Sequence, residues 1–411
     1  MPDVIIIGAG LAGLAAARHL SIHGAEILVL EASDDVGGRV RTDSVNGFTL
    51  DRGFQLYNPA YPEAARVLDH QALDLRPLVA GVLVAGSNGI RKLGDPRSRP
   101  TWALSALPPS TGSALSKLRF ASYAWRNARR PISDIVNEVD TSSLEEFRRL
   151  GLDEALINRV LRPFLTGVFL EPDLATSRRF LDLVMRSFVR GTPALPAAGM
   201  QAIPRQLHES LPPGCVQPNT TVTRVSGTTV HTDQGTHSAR AVIVATDPPT
   251  AQQLIPALQV PIGRPTTTWY HATATWPRIP GCSALIVDGD RRGPVVTTVP
   301  LNYAVPEYAP PGMALISTST LGMAASAQDE RAVREHLALL YGCDTSAWEL
   351  IGRYTIAYAL PAMLPTLNTR QPANLGGGLY VAGDHRDTAS IQGAMVSGRR
   401  VAQEILRELA A

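Results

Sequence analysis

Residues 4–13, Val-Ile-Ile-Ile-Gly-Ala-Gly-Leu-Ala-Gly, restrict this chain more than any other stretch. Four apolar residues, Val4 to Ile7, predict a short buried strand, and the glycines then turn the chain into an Ala-rich helical segment, Leu14 to Leu20. Gly8 permits the turn, Gly10 has no side chain to obstruct a pyrophosphate, and Gly13 lets helix and strand approach. Free N–H groups at the helix start then face the phosphates. A second apolar strand, Glu26 to Leu30, ends at Glu31, whose carboxylate can accept hydrogen bonds from both ribose hydroxyls of an adenosine. A structural glycine turn needs none of these flanks, so the unit reads as a βαβ dinucleotide site. Whether the dinucleotide is NAD or FAD is open at this point.

The chain has 411 residues, 45% hydrophobic and 18% charged, which suits two or three globular domains with a substantial core. A net charge of +2 without long runs of one sign gives no reason to expect nucleic acid as a partner. The fingerprint begins at Asp3 and no apolar run approaches the roughly 18 residues of a spanning helix; the expectation is a cytoplasmic protein. Cys215, Cys282 and Cys343 are too scattered to suggest a disulfide framework or a zinc cluster, and are expected as buried small hydrophobes. Lysine occurs only at Lys92 and Lys117, so the basic residues are almost all arginine.

Past Glu31 the chain reads Gly37-Gly38-Arg39, then Thr42, then Phe48-Thr-Leu-Asp51-Arg52-Gly53-Phe54-Gln55. An NAD dehydrogenase has no general need for a second glycine pair here. FAD lies extended, with a long pyrophosphate and ribityl section that the backbone of Gly37-Gly38 could approach while Arg39 pairs with phosphate oxygens. Glu31 followed by Gly37-Gly38-Arg39 and Thr42 resembles the flavin-containing amine oxidase superfamily, which also holds protoporphyrinogen oxidases and phytoene (carotenoid) desaturases. Arg162 to Pro172 and Gly191 to Met200 are more similar to the desaturase and protoporphyrinogen oxidase branch than to monoamine oxidases. The C-terminal block fits the same family: Leu379-Tyr-Val-Ala-Gly383-Asp384 predicts a strand entering a turn, and Ser390-Ile-Gln392-Gly-Ala394 a loop leading into a terminal helix. A helix starting near Gln392 would aim its positive end at the flavin pyrimidine ring, where negative charge collects on reduction.

The resemblance implies an α/β protein. A Rossmann-like FAD-binding domain is built from the discontinuous segments 1–54, 198–262 and 368–411. A substrate domain of α+β character, with a mixed sheet and a helical insertion, covers 55–197 and 263–367. Cofactor contacts are implied at Gly8, Ala9, Gly10, Ala12, Gly13, Glu31, Ala32, Gly37, Gly38, Arg39, Gly53, Val222, Gly383, Asp384, Gln392 and Ala394, with the backbone of Val222 at the adenine and Ala245-Thr246 passing nearby. The Ser-Gly-Gly-Cys context that attaches flavin covalently is missing, since Cys343 sits in Tyr-Gly-Cys-Asp; the FAD is expected to be noncovalent.

Elsewhere, Leu78 to Leu93 reads as a hairpin turning at Asn88-Gly89. Thr111 to Arg130 and Ser142 to Val168 read as helical, and Gly199-Met200 opens a helix through Leu207. The first of these sets Leu115, Leu118, Tyr123 and Trp125 against Lys117, Arg119, Arg126, Arg129 and Arg130. It is either an ordinary surface helix or a basic, aromatic face for peripheral contact with an anionic membrane. Strands are expected at 218–225, near Val230, at Ala241 to Ala245 as a buried parallel strand, and at Ala284 to Val287, Val295 to Val299 and Ala314 to Thr318. A helix is expected over Ala327 to Leu340.

Flavin oxidation of a C–H bond asks the protein mainly for positioning and a dry cavity. Amine oxidases of this family commonly place a lysine near flavin N5 in the second half of the substrate domain, and no lysine follows Lys117. Cavity candidates are Arg52, Gln55 and Tyr57, in a segment that resembles the family stretch passing the flavin ring although glycine usually stands at the Arg52 position, and Tyr354 and Tyr358, where relatives place aromatic groups. Core packing is the competing role for each; His271, His385 and Arg386 are candidate proton handlers, although isolated histidines are more often structural. The expected function is FAD-dependent dehydrogenation of an apolar or cyclic small molecule by hydride transfer to flavin N5, with oxygen or a quinone as acceptor. A flavin amine oxidase is the first alternative, an FAD-containing pigment-binding or isomerising protein the second, and an NAD dehydrogenase the outsider.

Overall fold

In the computed structural model the described residues are 1–87, 89–94, 101–105, 108–277 and 282–410. Asn88, at the tip of the expected hairpin, lies outside them; its strands form at Gly81–Gly86 and Gly89–Gly94.

The first strand, Val4–Ile7, sits inside a six-stranded sheet ordered 374–376, 379–381, 241–244, 4–7, 27–30, 216–217. It pairs in parallel with Ala241–Val244 on one side and Ile27–Leu30 on the other, Ile5 opposite both Val242 and Leu28. Both of its faces are covered, which is why its sequence is a continuous apolar run instead of an alternation. The helices Leu11–Ser21 and Ile391–Leu409 lie against each other, and they meet at Gly398, where an added Cβ would stand 2.0 Å from the Ala12 carbonyl oxygen. The order of strand addition switches at Val4–Ile7, with 27–30 on one side and 241–244 on the other, so a crevice opens beyond its carboxyl end, the usual ligand position in such sheets.

A seven-stranded sheet runs 349–361, 263–273, 314–321, 295–300, 285–288, 81–86, 89–94, antiparallel except for the pair 285–288 and 81–86. Helices Ala114–Arg129, Ser143–Arg149, Arg162–Phe169 and Arg178–Arg190 form a further layer around Tyr123, Phe147, Leu165 and Leu181. Among the described residues no helix is long and apolar enough to cross a membrane.

Three expectations need correction. The helical run 142–168 is broken: Ser143–Arg149 ends before Gly151, at φ +67, and Asp153 caps a new start by accepting from the Leu156 N–H. The two longest strands, Gly263–Thr273 and Glu349–Pro361, are in place of what the sequence left as unspecified mixed structure. The cysteines are free thiols that are partly exposed, not buried.

Candidate functional site

The crevice is built from the first glycine loop. Gly8 adopts φ +100, and a Cβ there would press on the Ala245 carbonyl oxygen at 3.0 Å; one on Gly13 would overlap the Gly8 oxygen at 2.0 Å. Gly10 differs: at φ −74, ψ 177 its backbone suits any residue, and an added Cβ would meet only the Gly38 Cα at 4.0 Å. The absence of a side chain there keeps a gap open and relieves no strain. Gly10 and Gly37 form a bridge, tied by the Gly37 N–H to the Ala9 carbonyl at 2.9 Å, so the two glycine loops lie in contact beside that gap. At its edge the helix Leu11–Ser21 begins without a side-chain cap, leaving its first N–H groups unused by the helix.

Glu31 is buried and oriented: Oε2 accepts from the Ala9 N–H at 2.6 Å and Oε1 from the Ser33 N–H at 2.9 Å, across Ala32. The Thr220 N–H donates to the Glu31 carbonyl at 2.8 Å, which brings Val222, at the head of strand Val222–Ser226, alongside.

At the other end of the gap Gly383 turns the chain and Asp384 is buried within an ion pair, 2.7 Å from Arg39 Nη2. Arg39 Nη1 also donates to the Ala359 carbonyl at 2.8 Å. The arginine that the sequence assigned to phosphate thus links the second glycine loop to the C-terminal motif and to the strand 349–361. Ser390 Oγ caps the terminal helix by accepting from the Gly393 N–H at 2.9 Å, and the Ala394 N–H bonds the Ser390 carbonyl at 3.0 Å, so the N–H groups of Ile391 and Gln392 remain at the helix mouth. The Gln392 side chain faces elsewhere, accepting from the Glu63 N–H at 2.9 Å.

The cavity candidates separate. Gly53, at φ +96, passes under Ile356 so closely that a Cβ would lie 2.7 Å from its Cδ1. Gln55 Nε2 donates to the Arg39 carbonyl at 2.9 Å, and its buried Oε1 has no partner. Arg52 holds Asp43 through two bonds of 2.8 Å, and the Tyr354 hydroxyl donates to the same carboxylate at 2.8 Å. Arg52, then Tyr354, keep the Asp43 carboxyl below its usual range. Tyr358 donates to the Pro261 carbonyl at 2.8 Å. Tyr57 stands apart, fully buried, its hydroxyl 2.7 Å from His70 Nε2. His271, 3.2 Å from Glu330, is likewise a core residue. His385 is buried with both ring nitrogens unpartnered, and burial pushes its pKa down to about 4.

Two groups escaped the sequence reading. Asp51 receives Thr42 Oγ1 at 2.6 Å, the Met200 N–H at 2.9 Å and Tyr308 at 2.9 Å, and burial pushes its carboxyl up to about 6. Tyr270 donates to the Asp51 carbonyl at 2.8 Å and meets Tyr354 edge to face at 6.1 Å. The available signal was the pair Asp43 and Asp51 on two strands that a short turn would fold together, in register Thr42 opposite Asp51.

The bare backbone where Gly10 and Gly38 meet, a carboxylate fixed at one end, uncapped helix N–H groups and orphaned Gln55 and His385 atoms together fit an extended dinucleotide. A family model described as flavin containing amine oxidoreductase matches residues 11–406. Protoporphyrinogen oxidase 2, chloroplastic/mitochondrial, of Arabidopsis thaliana is 30% identical over 191 residues, 45% of this chain and 37% of that protein. The chain thus spans little more than a third of that curated relative. A putrescine oxidase double mutant redesigned in its cofactor binding superposes with TM-score 0.73 at 19% identity over 99% of both chains. Cyclohexylamine oxidase from Brevibacterium oxydans does so with TM-score 0.68 at 18% identity over 100% of both. At those identities the likeness is one of fold.

Proposed function

Since this chain belongs to the flavin containing amine oxidoreductase family, we propose that it is an enzyme, an FAD-dependent oxidoreductase that dehydrogenates an apolar or cyclic small molecule. The observation that carries the reading is the ion pair of 2.7 Å between Arg39 and Asp384, which joins the second glycine loop, in contact with the first at Gly10 and Gly38, to the C-terminal motif. Noncovalent FAD, when bound, supplies the hydride acceptor. The chain's own residues then hold and orient. Helix N–H groups after Gly10 bind pyrophosphate, Glu31 accepts from ribose hydroxyls, Asp384 serves the ribityl section, and the start of helix Ile391–Leu409 sets positive potential at the flavin end.

The strand 349–361 crosses over Gly53 with Ile356 and Tyr354. Together with the Asp43 and Arg52 pair, it forms the wall against which a substrate would be positioned and from which water is excluded. The missing lysine after Lys117 favours desaturase-like or protoporphyrinogen-oxidase-like chemistry over amine oxidation. Oxygen or a quinone would take the electrons onward. The helix Ala114–Arg129, with its exposed apolar side chains, would give peripheral contact with a membrane from which an apolar substrate could be drawn.

Anaerobic mixing with candidate donors tests the reading. Bleaching of the flavin band by porphyrinogens or polyenes supports it, and bleaching by primary amines alone would replace it with the amine oxidase. No bleaching by any donor would leave a cofactor without turnover.

A further inference from the structure

Away from the glycine loops, a pocket of about 420 Å³ is lined by Arg126, Arg130, Glu138, Arg149 and Arg178. Four guanidinium groups face one lining carboxylate. Three of them are engaged: Arg130 Nη2 donates to Glu138 at 2.9 Å, Arg149 grips Glu146 with bonds of 2.7 and 2.8 Å, and Arg178 is ion-paired with Glu138, Glu146 and Asp182 at 3.7, 3.3 and 3.6 Å. The fourth, Arg126, keeps its whole capacity. The Arg126 side chain has no hydrogen bond or ion pair among the described residues. An exposed guanidinium with no protein partner, at a pocket lined by three more arginines, is a place for an external anion, and planar guanidinium groups suit the oxygens of a phosphate.

The surroundings select the kind of anion. Arg126 stands on the helix Ala114–Arg129 next to a face that carries Leu115, Leu118 and Trp125, which are 55%, 67% and 41% exposed. Positions 115, 118 and 125 fall on one side of the helix, and the Arg129 guanidinium lies over the Trp125 ring, 4.5 Å from its centre. A soluble phosphate needs the arginines and has no use for this apolar neighbour. A phospholipid needs both, since its phosphate is anionic and its chains begin beside it.

The geometry points to a head-group site: the pocket takes the phosphate of an acidic phospholipid while Leu115, Leu118 and Trp125 enter the membrane interface. This rests on the peripheral contact proposed above and is independent of which substrate is oxidised.

The experiment is flotation of the whole protein with vesicles of phosphatidylglycerol in phosphatidylcholine, compared with phosphatidylcholine alone. The protein is expected to float with the anionic vesicles. Arg126→Glu and Arg149→Glu, both exposed and far from the glycine loops, should each lower the bound fraction about tenfold. Arg126→Lys should retain most of it, with melting temperatures showing that all variants are folded. Flotation untouched by both reversals overturns the pocket and spares the membrane contact; no flotation overturns both. Thermal stabilisation by inorganic phosphate that Arg126→Glu abolishes, without vesicle binding, assigns the pocket to a soluble phosphate and overturns the lipid. Altered flavin bleaching with unchanged flotation bears on the oxidation alone.

Discussion

Replacing Gly10 by alanine should separate binding from folding. The backbone at Gly10 is ordinary extended conformation, and the new Cβ would have nothing closer than the Gly38 Cα at 4.0 Å. Alanine is a slightly poorer helix N-cap than glycine, by up to ~1 kcal/mol. It also restricts the unfolded chain, which returns about 0.4–1 kcal/mol. Apo stability should therefore move by less than about 1 kcal/mol. The methyl group, however, would stand on a side of Gly10 that is otherwise bare, and would hold the pyrophosphate away from the N–H groups after it. Loss of one or two hydrogen bonds to a charged group, at about 1.5–3 kcal/mol each, predicts FAD binding weakened on the order of 100-fold. The control is Gly13→Ala, whose Cβ would lie 2.0 Å from the Gly8 carbonyl oxygen and should cost the apo protein about 1–3 kcal/mol. Denaturant melts of apo protein and quenching of free FAD fluorescence give both numbers. The reasoning fails if Gly10→Ala binds FAD like the parent, or if it melts as early as Gly13→Ala.

Gly398→Ala should destabilise the apo protein by about 1–3 kcal/mol, read by urea denaturation, because its Cβ would stand 2.0 Å from the Ala12 carbonyl oxygen where two helices meet. Asp51 has its carboxyl raised from the usual 3.8 to about 6 by burial, so the native state binds the extra proton and this group's contribution to stability falls as pH rises between those values. That gap is worth roughly 3 kcal/mol at most. Asp51→Asn, which can keep the bonds from Thr42 and Met200, should remove this part of the pH dependence and leave the protein at least as stable at neutral pH, seen by comparing melts of both proteins across the acid range. His385, neutral when buried and with its pKa pushed down to about 4, acts in the opposite sense: its contribution is lost as pH falls from the ordinary histidine range through about 4, and His385→Leu should shift acid unfolding to lower pH. Arg52→Ala removes a half-exposed pair with Asp43 and should cost under about 1 kcal/mol, while changing the rate of anaerobic flavin bleaching if the Asp43 and Tyr354 wall positions substrate.

The unit from Val4 to Glu31 was legible because each signal is local: an unbroken apolar strand, glycines at fixed spacing and an acidic residue at the next strand's end. The parallel strand Ala241–Val244 announced itself in the same way. Gly263–Thr273 did not, since its buried positions are filled by threonine, tryptophan and histidine; Thr266 and Thr267 bond neighbouring carbonyls at 2.8 and 3.0 Å, so polar residues lie inside without an apolar run. Their β-branching was the one available hint. Glu349–Pro361 is an edge strand, exposed in places along both halves, with no alternation to read. The helix Arg178–Arg190 is amphipathic, burying Phe180, Leu181 and Met185, yet its arginines masked that face. What joins the site was beyond any local signal: Arg39 with Asp384 and Tyr354 with Asp43 are contacts between residues more than 300 positions apart.

Whether one nucleotide spans the two glycine-bearing ends of the chain is answered most directly by titrating colourless, FAD-depleted protein with FAD and following the flavin absorption band and its stoichiometry. Saturation at one FAD per chain, lost or strongly weakened in both Glu31→Gln and Asp384→Ala, is the result expected here. Protein that takes up no FAD, or binding unaffected by either change, would contradict it.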